Sequence, residues 1–262
     1  MKIYILMISY NFNMNIEFKK NGFLILKNFI SESDFRTLCK KINKDIEDKF
    51  NNKDLNSYGG SIIGNLNLVN EYYSEQILNI LLKNDLDKII KNISGNSVSE
   101  FNIRPGGNLN FQYKYNQHFH TDGEFDNPYL IINIGTENIT ELNGPLEIVQ
   151  DTHLKRLPYW KFLFKRKKKK ILLSEGDILI RKSNLWHRGT INLSKKPRYL
   201  LSYILEYKTE NNNKFNLIKK NYWKIDNNMF KNNIIEKIKE IIYTKFRFVY
   251  SCARLVTSIL NK

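Results

Sequence analysis

The chain has 262 residues, 42 Lys+Arg against 26 Asp+Glu, a formal charge of +16, and a composition that is 42% hydrophobic and 13% aromatic. The plentiful Phe, Tyr, Ile and Leu exclude bulk disorder, and only two cysteines, Cys39 and Cys252, exclude a disulfide scaffold and fit a reducing, cytoplasmic setting. No membrane span is expected, because Lys245, Arg247 and Arg254 interrupt the longest apolar stretch, Ile241 to Leu260.

Residues 1–15 read as an N-terminal extension. Their apolar patch, Ile3 to Ile8, lacks the length and the cleavage site of a secretory signal, and Met14 offers a second start. Gly22 to Leu26 reads as a buried strand ending at Phe29. Ser31 follows as a helix N-cap with Asp34 at N3, and Phe35, Leu38, Cys39, Ile42 and Ile46 give an amphipathic helix to about Lys49. Asn51 to Gly60 reads as a loop, and Ile77, Leu78, Leu81, Leu82, Leu86, Ile89 and Ile90 form the stripe of a second helical region.

From about Val98 the period becomes strand-like. Between Asn108 and Asp122, polar Asn110, Gln112, His118, His120 and Asp122 alternate with Leu109, Phe111, Tyr113, Tyr115 and Phe119. Period two puts these sets on opposite faces, so this strand is expected to wall a polar pocket. Further strands are expected at Tyr129–Ile134, Leu146–Val149, Ile171–Leu173, Ile178–Arg181 and Tyr199–Tyr207, separated by turn signals such as Asn143-Gly144-Pro145. Short strands at this spacing predict an all-β barrel or jelly roll. Between them, Lys165 to Lys170 reads as a solvated basic loop, with a nuclear signal, a nucleic-acid patch or a clamp for an anionic substrate as the functional readings. Residues 209–262 form a basic extension, helical from about Asn233. Its apolar stripe fits packing on the barrel or in a dimer, and peripheral contact with a membrane surface is the other reading.

Only four histidines can carry chemistry: His118, His120, His153 and His187. His120-Thr121-Asp122 puts an imidazole and a carboxylate on one strand face. A second histidine from another strand would complete the two-His, one-carboxylate set that leaves open positions on Fe(II). His187, just beyond the strand Ile178–Arg181, is the candidate, and Arg198 opens the next strand.

These residues and their surroundings resemble the phytanoyl-CoA dioxygenase family of Fe(II)- and 2-oxoglutarate-dependent oxygenases. Gly22–Phe29 resembles the family's opening strand, Gln117–Gly123 its metal triplet, Asn143–Val149 with Thr152-His153 its central stretch, and Gly176–Leu179 the strand before the distal histidine. His187 with Asn192, Ser194 and Arg198 completes the pattern, over residues 16–208. The resemblance implies a double-stranded β-helix, a cupin-like jelly roll with N-terminal helices on one sheet and the C-terminal helical extension beyond it. It implies that His120, Asp122 and His187 hold iron, that Arg198 binds the distal carboxylate of 2-oxoglutarate, and that O2 is the oxidant. Asn133 stands where the family places a cosubstrate contact. Gly189 replaces a serine common in the family, with Thr190 as the substitute, and Gln150-Asp151-Thr152-His153 departs from the usual turn.

Structural roles are expected for His153, in its own turn, and for His118 and Trp186, with contact to substrate as the sharper reading of the last two. The reading that results is hydroxylation of an unactivated C–H bond in a small, anionic molecule: phosphorylated, CoA-linked, lipid or glycan. Asp122 argues against halogenation, which frees that position for chloride. A nucleic-acid-directed oxygenase lacks a dense Arg cluster to support it, and a non-catalytic binding protein would not need all four key residues.

Overall fold

The computed structural model describes residues 13–31, 33–50, 64–113, 115–165, 167–208, 222–225 and 234–260. The expected loop Asn51–Gly60 and the Ile3–Ile8 patch lie outside them. A helix over residues 13–21 (α1) precedes β1 (Phe23–Leu26), α2 (Ser33–Phe50), β2 (Asn65–Val69), α3 (Glu71–Lys83), α4 (Leu86–Ser94) and a short 3-10 turn. Then come β3 (Phe101–Asn110), β4 (Leu130–Gly135), β5 (Leu146–Val149), α5 (Tyr159–Phe162), β6 (Lys168–Ile171), β7 (Ile178–Lys182), β8 (His187–Gly189) and β9 (Arg198–Tyr207). The chain ends in β10 (Lys224–Ile225), α6 (Ile234–Thr244) and α7 (Arg247–Leu260).

Two sheets form the jelly roll. The larger runs β1-β7-β4-β9-β3-β2-β10 and the smaller β6-β5-β8, and neighbouring strands in both are antiparallel. β9 shows how one strand serves two environments. Tyr199, Leu201, Tyr203 and Leu205 point into the apolar layer beneath the helices, while Arg198, Leu200, Ser202 and Ile204 face the cavity between the sheets. α1 to α4 bury Met14, Phe18, Phe35, Ile42, Ile77, Leu81 and Ile90 in that layer. Two tyrosines reach through it and keep their hydroxyls satisfied: Tyr199 donates to Leu68 O at 2.9 Å and Tyr203 to Ser74 O at 2.5 Å.

Three expectations are corrected. The strand expected over Asn108–Asp122 stops at Asn110, because the chain leaves the larger sheet there and crosses to the smaller one. It is held afterwards by single bridges, Gln112 to Asn192 and His120 to His187. The basic run is not simply a loop. Lys168–Lys170 are strand β6, paired with β5, with the ammonium groups of Lys168 and Lys169 over the rings of Phe119 and Phe23. Finally, α2 begins at Ser33, two residues after the expected cap Ser31, and residue 32 lies outside the described set. The second helical stripe is divided between α3 and α4, with Asp85 at φ 62 between them.

Asp177 ties β1 to the turn before β7. Its carboxylate, 1% exposed, accepts from Lys27 Nζ at 2.6 Å, Asn28 N at 2.8 Å and Ser174 N at 2.8 Å. Burial pushes its pKa up, but these bonds outweigh burial and lower it from 3.8. A depressed folded pKa means stability that is present above the unfolded value and lost as pH falls through the folded one. Asp177→Ala strands two backbone N–H groups and is expected to cost about 3 kcal/mol in urea melts at neutral pH. The gap to the wild type should narrow as the pH falls from 3.8, where the unfolded carboxylate protonates, through the lower folded value, where the native one protonates as well.

Candidate metal centre and its pocket

Asp122 stands between two imidazoles. Its Oδ1 is 3.7 Å from His120 Nε2 and its Oδ2 is 3.3 Å from His187 Nε2, and the two rings lie 4.5 Å apart. The ligand atoms of the three residues are all within 4.8 Å of one another. A reciprocal backbone bridge, N to O at 2.9 Å in both directions, locks His120 against His187 and so brings the crossing segment to the first residue of β8.

Backbone carbonyls set both tautomers. His120 Nδ1 donates to His118 O at 2.9 Å and His187 Nδ1 donates to Leu185 O at 3.0 Å. A carbonyl can only accept, so each Nε2 is left with its lone pair on the Asp122 side. Burial pushes His187 down to about 3, with Arg181 adding to the effect and Asp122 opposing it, so this ring is neutral at neutral pH. Burial pushes the Asp122 carboxyl up, but His187, Arg181 and His120 together outweigh it and hold it well below the usual carboxylate range. Two imidazole nitrogens and an ionised carboxylate make a donor set suited to a divalent transition metal.

A buried arginine anchors the carboxylate. Arg181 Nη2 donates to Asp122 Oδ2 at 2.6 Å and its Nε to Asn133 Oδ1 at 3.0 Å, while Asn133 Nδ2 donates to Ser202 Oγ at 2.8 Å. The chain of bonds crosses three neighbouring strands, β7, β4 and β9, because Arg181, Asn133 and Ser202 share the cavity face in register. Asn133 therefore reaches the triad through Arg181.

Arg198 is held by the Asn143-Gly144-Pro145 turn. Its Nε donates to Asn143 O at 3.2 Å and its Nη2 to Gly144 O, while Nη1 is buried with no partner among the described residues. Burial lowers its pKa to about 10, opposed by Glu137, and it stays charged at neutral pH. Gly144 sits at φ +79, and an added Cβ would lie 2.3 Å from Asn110 Nδ2, so the turn can present both carbonyls only with glycine there. Asn192 and Ser194 shape the approach to Arg198. The Asn192 amide donates to Asn110 O and Lys196 O, and its Oδ1 accepts from both Ser194 N and Oγ.

His120, Asp122, His187, Arg181, Asn133 and Arg198 all face one cavity of about 710 Å³. Thr190 stands outside its wall, with its hydroxyl donating to Pro145 O at 2.6 Å. Gln117 fills the space left by Gly189: its Oε1 accepts from Gly189 N at 2.8 Å, and a Cβ on Gly189 would sit 2.8 Å from that oxygen. The C-terminal helices close the cavity. His118 Nε2 donates to Tyr243 O at 3.0 Å, its ring lies 4.6 and 4.5 Å from those of Tyr243 and Tyr250, and burial pushes it down to about 4. Arg254 Nη1 donates to Phe119 O at 2.7 Å from the same wall.

Trp186 stacks on Phe162, with centroids 4.2 Å apart, and lines a second, more open depression of about 810 Å³ that meets the first at Thr121, Asp122 and Tyr129. His153 does not serve its own turn but donates from Nε2 to Lys19 O at 2.9 Å, tying down α1. That turn is carried by Asp151 at φ 64 and by Thr152, whose hydroxyl donates to Val149 O and accepts from Trp186 N. The basic strand contributes to neither cavity: Lys170 pairs with Glu141 and Lys167 with Asp151 on the outer surface. Sequence reasoning missed Arg181, Gln117, Tyr243, Tyr250 and Arg254. For Arg181 a signal existed, an arginine on the inward register of an apolar strand; for the others the contacts depend on the tertiary fold alone.

The model of the family described as "Phytanoyl-CoA dioxygenase (PhyH)" matches residues 18–200. No curated protein matches the chain by sequence. Among solved structures, the epimerase SnoN in complex with Fe3+, alpha ketoglutarate and nogalamycin RO is 11% identical, with a TM-score of 0.57, covering 76% of this chain and 84% of that one. The alpha ketoglutarate dependent carbocyclase SnoK is 11% identical, with a TM-score of 0.58 and coverage of 74% and 83%. EvdO2 from Micromonospora carbonacea var. aurantiaca is 15% identical, with a TM-score of 0.57 and coverage of 76% and 93%. At these identities the likeness is one of fold, and it is the jelly roll described above. The family match spans β1 to β8 and the first residues of β9, with His120, Asp122, His187 and Arg198 inside it, and by it the chain belongs to the phytanoyl-CoA dioxygenase family.

Proposed function

We propose that this chain is an Fe(II)- and 2-oxoglutarate-dependent dioxygenase that hydroxylates an unactivated C–H bond of a small anionic substrate. The observation that carries the reading is the cavity shared by a two-imidazole, one-carboxylate cluster and Arg198, whose Nη1 is buried with no partner among the described residues. Such an orphaned donor fits an anionic carboxylate, as does the guanidinium's permanent charge. In this reading His120 and His187 hold iron through Nε2, with Asp122 as the third ligand, and Arg198 takes the distal carboxylate of 2-oxoglutarate. With iron, 2-oxoglutarate and O2 bound, the centre supplies oxidation of a C–H bond coupled to decarboxylation of the cosubstrate to succinate and CO2.

The protein's own part is placement and charge. Arg181 keeps Asp122 ionised and fixes one of its oxygens, and the Asn133–Ser202 pair holds Arg181 in turn. Tyr243 and Tyr250 shield the cavity from water on the side of the C-terminal helices. Arg104, Lys224 and Arg254 also line the cavity, and among its described lining residues Glu71 is the one carboxylate besides Asp122. A dication with Arg181 and Arg198 outweighs Asp122 and the two carboxylates of 2-oxoglutarate, so the chamber stays positive. That supports an anionic substrate more directly than the outer lysine strand does. Cys39 and Cys252 are both free, which fits a cytoplasmic setting.

Two measurements test the centre. Anaerobic addition of Fe(II) and 2-oxoglutarate should produce the visible metal-to-ligand charge-transfer band of the chelate. Asp122→Ala should abolish it, and Arg198→Ala should raise the 2-oxoglutarate concentration needed by about 10- to 100-fold. No band in the wild-type protein under reducing conditions would overturn the assignment. In a separate titration, Arg181→Met should weaken Fe(II) binding by about 10- to 100-fold, because Asp122 loses the partner that orients it. Unchanged iron affinity would leave Arg181 with a purely structural role.

A further inference from the structure

The helix α7 is amphipathic in the reverse of the usual sense. At about 100° per residue, Phe248, Val249, Val256, Ile259 and Leu260 fall on one arc. That arc faces outward, with Phe248 81% and Leu260 75% exposed. The polar residues turn inward instead. Arg254 donates to Phe119 O and lies 4.2 Å over the ring of Tyr159, and Arg247 lies over Tyr115. A helix that merely packs on a water-soluble barrel would present the opposite faces. The neighbours extend the surface. α6, which packs on α7, exposes Ile234, Ile235, Ile238 and Ile241, the junction exposes Phe246, and Leu163 and Phe164 at the end of α5 are exposed as well. So many large apolar side chains exposed on three helices in mutual contact are more than the singly scattered ones of an ordinary surface.

Charge decides what covers it. Lys245, between the two helices, is exposed, and from Ile241 to the last residue the sequence holds no Asp or Glu, within a molecule of net charge +16. Pairing this face with a second copy would set like charge against like across an apolar seam. A lamellar surface of anionic lipid offers apolar volume and the opposite charge together. We propose that α7, with the exposed edges of α5 and α6, docks the protein on an anionic membrane surface, its apolar arc lying in the interface. The docking is peripheral: among the described residues no helix is long and apolar enough to cross a membrane. It does not depend on the oxygenase reading.

The test is co-sedimentation of the full chain with phosphatidylcholine vesicles, with and without phosphatidylglycerol. The wild-type protein should pellet with the phosphatidylglycerol vesicles and less so at high salt. The double variant Phe248→Glu/Leu260→Glu should lower that partition by about tenfold or more without moving the thermal melt, since both side chains are exposed. Leu82→Glu, an exposed site on α3, should leave it unchanged. Failure to pellet, equal pelleting with phosphatidylcholine alone, or indifference to the double variant overturns the proposal. A concentration-dependent dimer in sedimentation velocity that the double variant dissolves assigns the face to a second copy instead.

Discussion

The pairing of Asp122 with Arg181 is the interaction on which the rest of the site depends. Arg181 is 6% exposed at its side chain, one residue from the end of a strand whose first three residues are aliphatic. A guanidinium in that position is costly unless an anion meets it, and burial alone would drive the Asp122 carboxylate towards protonation. Each charge therefore makes the other tolerable. The pair also sets direction. With Arg181 held at Nε by Asn133, its Nη2 can reach only one Asp122 oxygen, which leaves the carboxylate orientation fixed before any ligand arrives.

That pair in turn requires strand register. Arg181, Asn133 and Ser202 meet because β7, β4 and β9 are adjacent and put these three residues on the same face, with Asn133 directly opposite Ser202. A one-residue slip in β4 would turn Asn133 into the apolar layer and bring Ile132 or Ile134 to the cavity. The helices guard against such a slip from the other side. Tyr199 and Tyr203 are anchored by hydroxyl bonds to backbone carbonyls, so β9 cannot shift without stranding two buried O–H groups. Packing on one face of the sheet thus sets the geometry of the polar network on the other.

How much of this was readable in the residues follows from how local each feature is. β5, β7 and β9 came within a residue or two of their expected ends, since period and turn signals act over short range. His120, Asp122, His187 and Arg198 were visible as a spaced pattern, and they do meet in one cavity. The regular strand through His118 was not correct, because alternation persists in extended chain that has left a sheet, and only the partner strand reveals the crossing. Arg181 escaped notice because an arginine at a strand end reads as a surface residue until its inward register is known. Gln117 could not be foreseen at all: nothing in its neighbourhood says that its amide occupies the gap beside Gly189, 72 residues away. The lysine run, expected as a solvated loop, is partly a strand for a different reason. Long aliphatic stems let lysines form a paired strand over Phe23 and Phe119 while the charges remain in solvent, so a cluster of positive charge in the sequence need not be a binding site.

The C-terminal extension lies beyond the family match, yet the site is not closed without it. His118 is two residues from His120, and the His118 carbonyl sets the tautomer of that ring. The same residue is clamped between Tyr243 and Tyr250 and bonded to Tyr243 O. Displacement of α6 and α7 would therefore act twice, opening the chamber and loosening the segment that presents His120 and Asp122. The inward face of α7 carries its arginines, Arg254 holding the Phe119 carbonyl, while the outward face is apolar. Any surface that receives that outward face bears on the helix whose other side walls the chamber, so the proposed docking and the proposed chemistry share one mechanical element.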